Sequence, residues 1–469
     1  MKTDTDSQTE KLRWFSGWLE KFINYEAVKN TGGFSLETMR LLAEKAGNPQ
    51  DGFHSIHVAG SKGKGSVSAM LAAILTAGGR PCGLYTSPHL QTFLERVTGP
   101  DGFFPDSVYE EAARFTAGCA EQFVQEAAPG IHAPSWFELV TLFAMRTFCT
   151  AGLPWAVFET GLGGRLDATN ILHPQACVLT PVELEHTEYL GSTLEKIAAE
   201  KAGIFKSGVP VFSAAQKPEV QAVFRAQAAR CNAPLYFLPD AVSRLRTRFT
   251  GRILDAEVSF RALPGGARFR QPLRFSLRMP AAVQAENAAL AAYACKTLFP
   301  ETDESVIGQA LSGCFLPGRF EILPGTPPVV LDGAHTENSM RSAVQTFCRL
   351  FPPGKSGKGK VRRLLFACAA DKNVQRMSAL FRGKFSGITL TCPGGKKPGN
   401  LAAAEAAFRK NCALPGDGLR IIPEWNTAIR QTTGEARQEG APLLITGSFY
   451  LVAEAKNILC RPPDPEIPD

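Results

Sequence analysis

The sequence predicts an α/β protein, in which a parallel-sheet domain of phosphate-loop type is followed by a smaller, Rossmann-like α/β domain. Three observations predict it. Short apolar runs alternate with helical segments, the pattern of a parallel sheet wrapped by helices. A glycine-rich turn, SIHVAGSKGKGSV, joins one such run to a helix. After Leu316-Pro317-Gly318-Arg319 the helical signal stops and a second strand-helix series begins. The 469 residues exceed what one core ordinarily serves, about 250 to 300, so two domains are expected, 1–312 and 313–469.

From the N-terminus, residues 10–28 carry Leu12, Trp14, Phe15, Trp18, Leu19, Phe22 and Ile23 at spacings of three and four, which predicts an amphipathic helix. A second helix, Ser35 to Ala46, ends at Gly47, Asn48 and Pro49. SIHVAG, PWAVFET, QACVLTPVEL and GVPVFSA read as buried strands. Between about 235 and 280, LYFLPD, ILDAEVSFRA and LRFSLRMP alternate with period two and predict antiparallel strands added to the same sheet. Residues 281–299 predict an alanine-rich helix. Beyond the boundary, PPVVLDGAH, RRLLFACA, GITLTCPG and PLLITGSFYLVAE supply the strands of the second domain. The Gly-Lys run at 354–360 reads as a surface loop, and the proline-rich tail after Cys460 as a frayed end.

Composition narrows the class. With 44% hydrophobic and 20% charged residues the chain is of ordinary globular type. A formal charge of +7, from 51 basic and 44 acidic residues, suits anionic small substrates and gives no footprint for nucleic acid. Arg244, Arg246 and Arg248 form the densest basic run, which reads as a solvated loop or strand edge. The twelve cysteines lack CxxC pairs, and Cys149, Cys177 and Cys368 sit in apolar runs, the pattern of reduced thiols in a cytoplasmic protein. No apolar stretch approaches the ~20 residues needed to span a bilayer, and the acidic N-terminus does not read as a signal peptide.

In the glycine turn, Gly60, Gly63 and Gly65 alternate with Lys62 and Lys64, and Ser66 opens the helix. Strand, turn and helix in this order aim backbone N–H groups at an anion. Lys64 can offset phosphate charge and Ser66 can reach a metal held by the nucleotide, so the predicted ligand is a triphosphate. The spacing departs from the ordinary phosphate loop, with two residues instead of four between Gly60 and Gly63-Lys64.

GxxGKGS resembles the phosphate loop of the Mur ligase superfamily. The blocks YTSPHLQTFLERV, SWFELVTLFAM, FETGLGGRLDATNIL, EHTEYLGSTLEKIAAEKAGIFK, LPGRFE, LDGAHTENS and ITGSFYLVAEA resemble, in order, those of the folylpolyglutamate synthase/dihydrofolate synthase family within it. The resemblance runs from about residue 10 to 457. Fewer than sixty residues precede the loop, which leaves no room for the extra N-terminal domain of muramyl-peptide ligases. Glu185 stands where the family commonly has Asp, Ser61-Lys62 where bacterial members commonly have Thr-Asn, and Asp332-Gly-Ala-His335-Thr-Glu is closer to the eukaryotic style.

The resemblance implies a cytoplasmic, monomeric ligase that uses ATP and Mg2+ to join L-glutamate to a folate or to dihydropteroate through an acyl phosphate, in a cleft between an ATPase domain and a glutamate-ligase domain. Its implied metal set is Ser66, Ser87, Glu159, His186 and Lys201, with Lys201 carbamylated; Lys64, Lys201 and His186 are the implied catalytic residues. Asn287, Arg319, Asp332 and His335 join the glycine turn in holding ATP. Alone, Glu159 is as readily a structural strand-end carboxylate, Lys201 reads as an exposed helical lysine, and Asn287 as a helix-surface amide. Trp136 and Phe137, near the segment from Tyr85 to Arg96, can stack a pterin or simply pack. Two other classes stay open: a small-molecule kinase and a nucleotide-binding module without turnover.

Overall fold

A computed structural model describes residues 11–25, 35–126, 131–352, 361–395, 398–412, 414 and 418–460. The Gly-Lys run at 354–360, the tail beyond Cys460 and the end of the helix expected at 10–28 lie outside the described residues. By their contacts the residues fall into two units. The first holds 1–247, 255–277 and 284–314, the second 248–254, 278–283 and 315–469.

The first unit opens with α1 (Arg13–Leu19) and α2 (Glu37–Lys45). The expected helix at 10–28 is therefore much shorter. Phe22 lies past its end, 4.7 Å from Trp18, and Ile23 is exposed, so an apolar period of three to four persists through a segment that is not helical. Then follow β1 (His54–Ala59), α3 (Lys64–Ala77), β2 (Cys82–Tyr85), β3 (Val97–Thr98), α4 (Asp106–Glu126), α5 (Trp136–Thr150), β4 (Trp155–Glu159) and β5 (Ala176–Leu179). Next come α6 (Leu194–Ala202), β6 (Val211–Ser213), α7 (Pro218–Arg230) and β7 (Leu235–Phe237).

These strands form one sheet in the order β3-β2-β4-β1-β5-β6-β7, parallel throughout except that β2 and β3 pair antiparallel. Because helices cover the sheet, the inner strands are almost continuously buried, which is why they read as apolar runs. One core cluster joins α1, α2, α4 and α5 to β2 and β4, with Phe15, Phe143 and Phe148 fully buried. A second joins α6 and α7 to β5 and β6 around Phe205, Val211 and Phe224.

The chain continues through β8 (Val242–Thr250), β9 (Ile253–Phe260), β10 (Leu273–Leu277), α8 (Ala282–Leu298) and α9 (Glu304–Gly313). Of the strands expected to add to the large sheet antiparallel, LYFLPD supplies β7, which extends that sheet but runs parallel to β6, whereas β9 and β10 join β8 in a separate three-stranded sheet in the order β10-β9-β8. Period-two alternation specifies a half-buried strand but not the sheet it joins. Helix α9 packs on β10 and on α3. Arg244, Arg246 and Arg248 lie exposed along β8, an edge strand. Helix α8 is buried on nearly all sides, as its alanine-rich sequence requires.

The second unit contains β11 (Glu321–Ile322), β12 (Val329–Asp332), α10 (Glu337–Leu350), β13 (Arg363–Phe366), α11 (Val374–Ala379), β14 (Gly387–Leu390) and α12 (Leu401–Cys412). It ends with β15 (Leu419–Ile421), α13 (Trp425–Glu439), β16 (Leu443–Thr446) and α14 (Phe449–Leu459). Its six-stranded sheet runs β11-β12-β16-β13-β14-β15, parallel but for the antiparallel edge strand β11. The core is built on Phe347, Phe366, Phe381 and Phe408.

Candidate active site

The C-terminal ends of β1 and β4, neighbours in the sheet, deliver the glycine turn and Glu159 side by side. Gly60 has φ +145° and Gly63 has φ +89°, both in the region that favours glycine. A Cβ at Gly60 would run into Thr180, and one at Gly63 would come within 2.8 Å of Asn287 Oδ1. The turn is also pinned: Ser61 N donates to Pro181 O at 2.9 Å, and Ser61 Oγ accepts from Glu183 N at 3.0 Å. Gly63 caps α3, and Lys64, Gly65 and Ser66 form its first turn, where free N–H groups collect.

Glu159 is only 3% exposed. Its Oε1 lies 3.9 Å from Lys64 Nζ, its Oε2 accepts from Ser87 N at 2.9 Å, and a Cβ on Gly65 would sit 3.3 Å from that same oxygen. A carboxylate, the Ser87 backbone and the first turn of α3 thus share one buried corner. The nearby Ser66 is itself buried. Glu159 and the hydroxyls of Ser66 and Ser87 are hard oxygen donors of the kind a magnesium ion accepts. Among the described residues no group of three or more His, Cys, Asp or Glu side chains is placed to hold a metal.

Lys201, near the end of α6, departs from the exposed lysine that its local sequence suggests. It is 2% exposed, its Nζ donates to Gly60 O at 2.6 Å, and it lies 3.4 Å from Glu185 Oε1. The neighbouring Glu200 instead pairs with Arg165 at 2.9 Å. Burial pushes the Lys201 amine down to about 8; Glu185 opposes this, while Lys64 and Lys62 add to it. Glu185 also takes Lys62 Nζ at 2.9 Å on its other oxygen. Burial drives the Glu185 carboxyl up, but Lys62, Lys201, Lys64 and His186 together outweigh it and hold the group well below the usual carboxylate range.

Glu185 is thus the hub that sequence reasoning missed, since nothing local marks it as facing two lysines. His186 has φ +47° and begins the helical turn Thr187–Leu190, with its side chain exposed. Asn287 is buried, contrary to the helix-surface alternative, and Nδ2 donates to Gln284 Oε1 at 3.0 Å. Two sets of contacts result, Gly60–Lys201–Glu185–Lys62 and Lys64–Glu159–Ser87, with Asn287 close against Gly63.

In the second unit, Asp332 at the end of β12 accepts from Phe320 N and Ala334 N, each at 2.8 Å. Burial pushes its carboxyl up to about 6, against the two N–H groups and Arg319. Arg319 lies over the Phe449 ring at 4.1 Å, and His335, 2.8 Å from Gly333 O, meets the same ring edge-on. In the first unit, Trp136 is buried with Arg96 over its ring at 4.8 Å, so the packing alternative describes its contacts.

A glycine turn at the mouth of a parallel sheet, a buried carboxylate beside its lysine, and a second parallel-sheet unit together define a Mur-type ligase. The family model described as "Mur ligase, glutamate ligase domain" matches residues 318–449. The chain is 32% identical to the dihydrofolate synthase/folylpolyglutamate synthase of Bacillus subtilis, over 90% of this chain and 94% of that one. It is 30% identical to the folylpolyglutamate synthase of Lacticaseibacillus casei, over 89% and 92%. The solved Mycobacterium tuberculosis folylpolyglutamate synthase complexed with ADP and AMPPCP superposes with a TM-score of 0.81 at 26% identity, covering 97% of this chain and all of that one. The chain belongs to the folylpolyglutamate synthase/dihydrofolate synthase family.

Proposed function

We propose that the chain is an ATP- and magnesium-dependent ligase that activates the γ-carboxylate of a folate, or the carboxylate of dihydropteroate, as an acyl phosphate that the amine of L-glutamate then displaces. The observation that carries this reading is the pair of ion pairs at the glycine turn, Lys64 with Glu159 and Lys201 with Glu185, in which Glu159 and Lys201 are buried. Acyl-phosphate formation brings an anionic acceptor against an anionic phosphoryl group, so cationic and metal neutralisation at that point is the main requirement. The α3 N-terminus, Lys62 and Lys64 would bind the phosphates. Ser66, Ser87, Glu159 and His186 would hold magnesium, which supplies charge neutralisation when bound.

Lys201 fits carbamylation, because an amine lowered to about 8 keeps an appreciable neutral fraction to add CO2 with release of one proton. The carbamate would be a further oxygen donor. Asn287, Arg319, Asp332 and His335 would complete the nucleotide site, with 1–312 acting as the ATP-binding domain and 313–469 as the glutamate-ligase domain. We assign it to the cytoplasm as a monomer, without nucleic-acid or membrane partners; among the described residues no helix is long and apolar enough to cross a membrane.

The test is purified protein with ATP, magnesium and labelled glutamate, offered dihydropteroate and a reduced folate separately. The ligase releases phosphate and incorporates label only when acid and glutamate are both present. Phosphoryl transfer without glutamate would identify a kinase, and no turnover with any acid a nucleotide-binding module.

A further inference from the structure

The first unit carries a cavity of about 380 Å³ that the reaction above does not use. Its walls come from α2 (Arg40, Glu44), from the turn before β1 (Asn48, Gln50), from the segment before β5 (Asn170, His173) and from Lys206 before β6. All three of those strands are parallel, and the glycine turn and Glu159 follow strands where the cavity walls precede them. The cavity therefore opens at the opposite end of the sheet from the candidate active site. Its volume lies in the range of small-molecule sites.

Several of its charged groups lack a protein partner of opposite charge among the described residues. Arg40 and Glu44 are four residues apart on one helix, the spacing of an ion pair, yet neither has an ion-pair partner among the described residues. Lys206 is held by Asn170 O and Oδ1, both at 2.9 Å, with no carboxylate beside it among the described residues. Burial lowers its amine, and Arg40 is close enough to add to that effect. Gln50 is only 8% exposed, donates from Nε2 to Asn48 Oδ1 at 3.1 Å, and leaves Oε1 buried without a donor.

We propose that this cavity binds an acidic α-amino acid, its carboxylates on Arg40 and Lys206 and its ammonium on Glu44. A simple anion would satisfy the two cations but face Glu44; a zwitterion answers both signs of charge.

Isothermal titration of the full chain, in phosphate-free buffer without nucleotide or folate, tests this with L-glutamate, glutarate and inorganic phosphate. Because no turnover is read, the outcome is separate from that of the ligase assay. L-glutamate is expected to bind about tenfold or more tighter than glutarate, the worth of one charge-assisted contact. Arg40→Ala weakens both ligands, whereas Glu44→Gln weakens L-glutamate alone and narrows the preference to under about threefold. Both residues are exposed, so unchanged thermal midpoints are expected to certify folding. Equal affinity for glutarate or phosphate, unchanged binding in both variants, or no saturable binding by about 10 mM would overturn the proposal.

Discussion

Lys201 is where local sequence and three-dimensional environment disagree most. Its neighbours in the chain, Glu200 and Ala202, describe an ordinary helix, while the groups that define its chemistry, Gly60 and Glu185, lie 141 and 16 residues away. No periodicity encodes that meeting; only the family resemblance pointed to the residue. Lys201→Ala is expected to lower turnover by about 100-fold or more, with partial recovery in high bicarbonate or small carboxylates. Full activity in the variant would remove Lys201 from the reaction. Burial also makes a thermodynamic statement. The amine's folded value, about 8, is below its ordinary 10.5, so under pH 8 both states hold the proton and the cost of burying the cation is carried in full. Between those values only the unfolded chain keeps the proton, so in the uncarbamylated protein, prepared free of CO2, wild-type stability should rise with pH relative to Lys201→Met, by roughly 3 kcal/mol across the window. Urea unfolding of both proteins at pH 7.5 and 9.5 checks the sign, and a constant difference would refute it.

At the scale of elements, the buried parallel strands were the most legible part of the chain, since β1, β4, β5, β12, β13 and β16 must be apolar on both faces and are bounded by turns. The two-residue strand β11 and the half-exposed β15 carry no such mark, and neither was anticipated. The start of α3 was legible for a different reason: a turn that must come close to a ligand can use few residue types besides glycine. Gly63→Ala tests this. With φ at +89° and Asn287 Oδ1 2.8 Å from the added carbon, the variant should lose about 1–3 kcal/mol of stability and bind ATP more weakly, read by thermal unfolding and calorimetric titration. The irregular segment after α1 shows the converse, because Phe22 keeps helical spacing while packing on Trp18 outside a helix.

For the whole molecule, the division into two units is not a division of the chain into two lengths. The backbone leaves the first unit at 247, returns at 255, leaves at 277, returns at 284 and leaves finally at 314. A fragment of residues 315–469 should therefore melt at a lower temperature than the same region in the full chain, because 248–254 and 278–283, which group with it, are missing. Calorimetry on the fragment and the full chain measures this, and identical midpoints would count against it. The same threading bears on heredity. A single recombination event near position 314 would pair a foreign C-terminal half with two short stretches, encoded upstream, that belong with the native one.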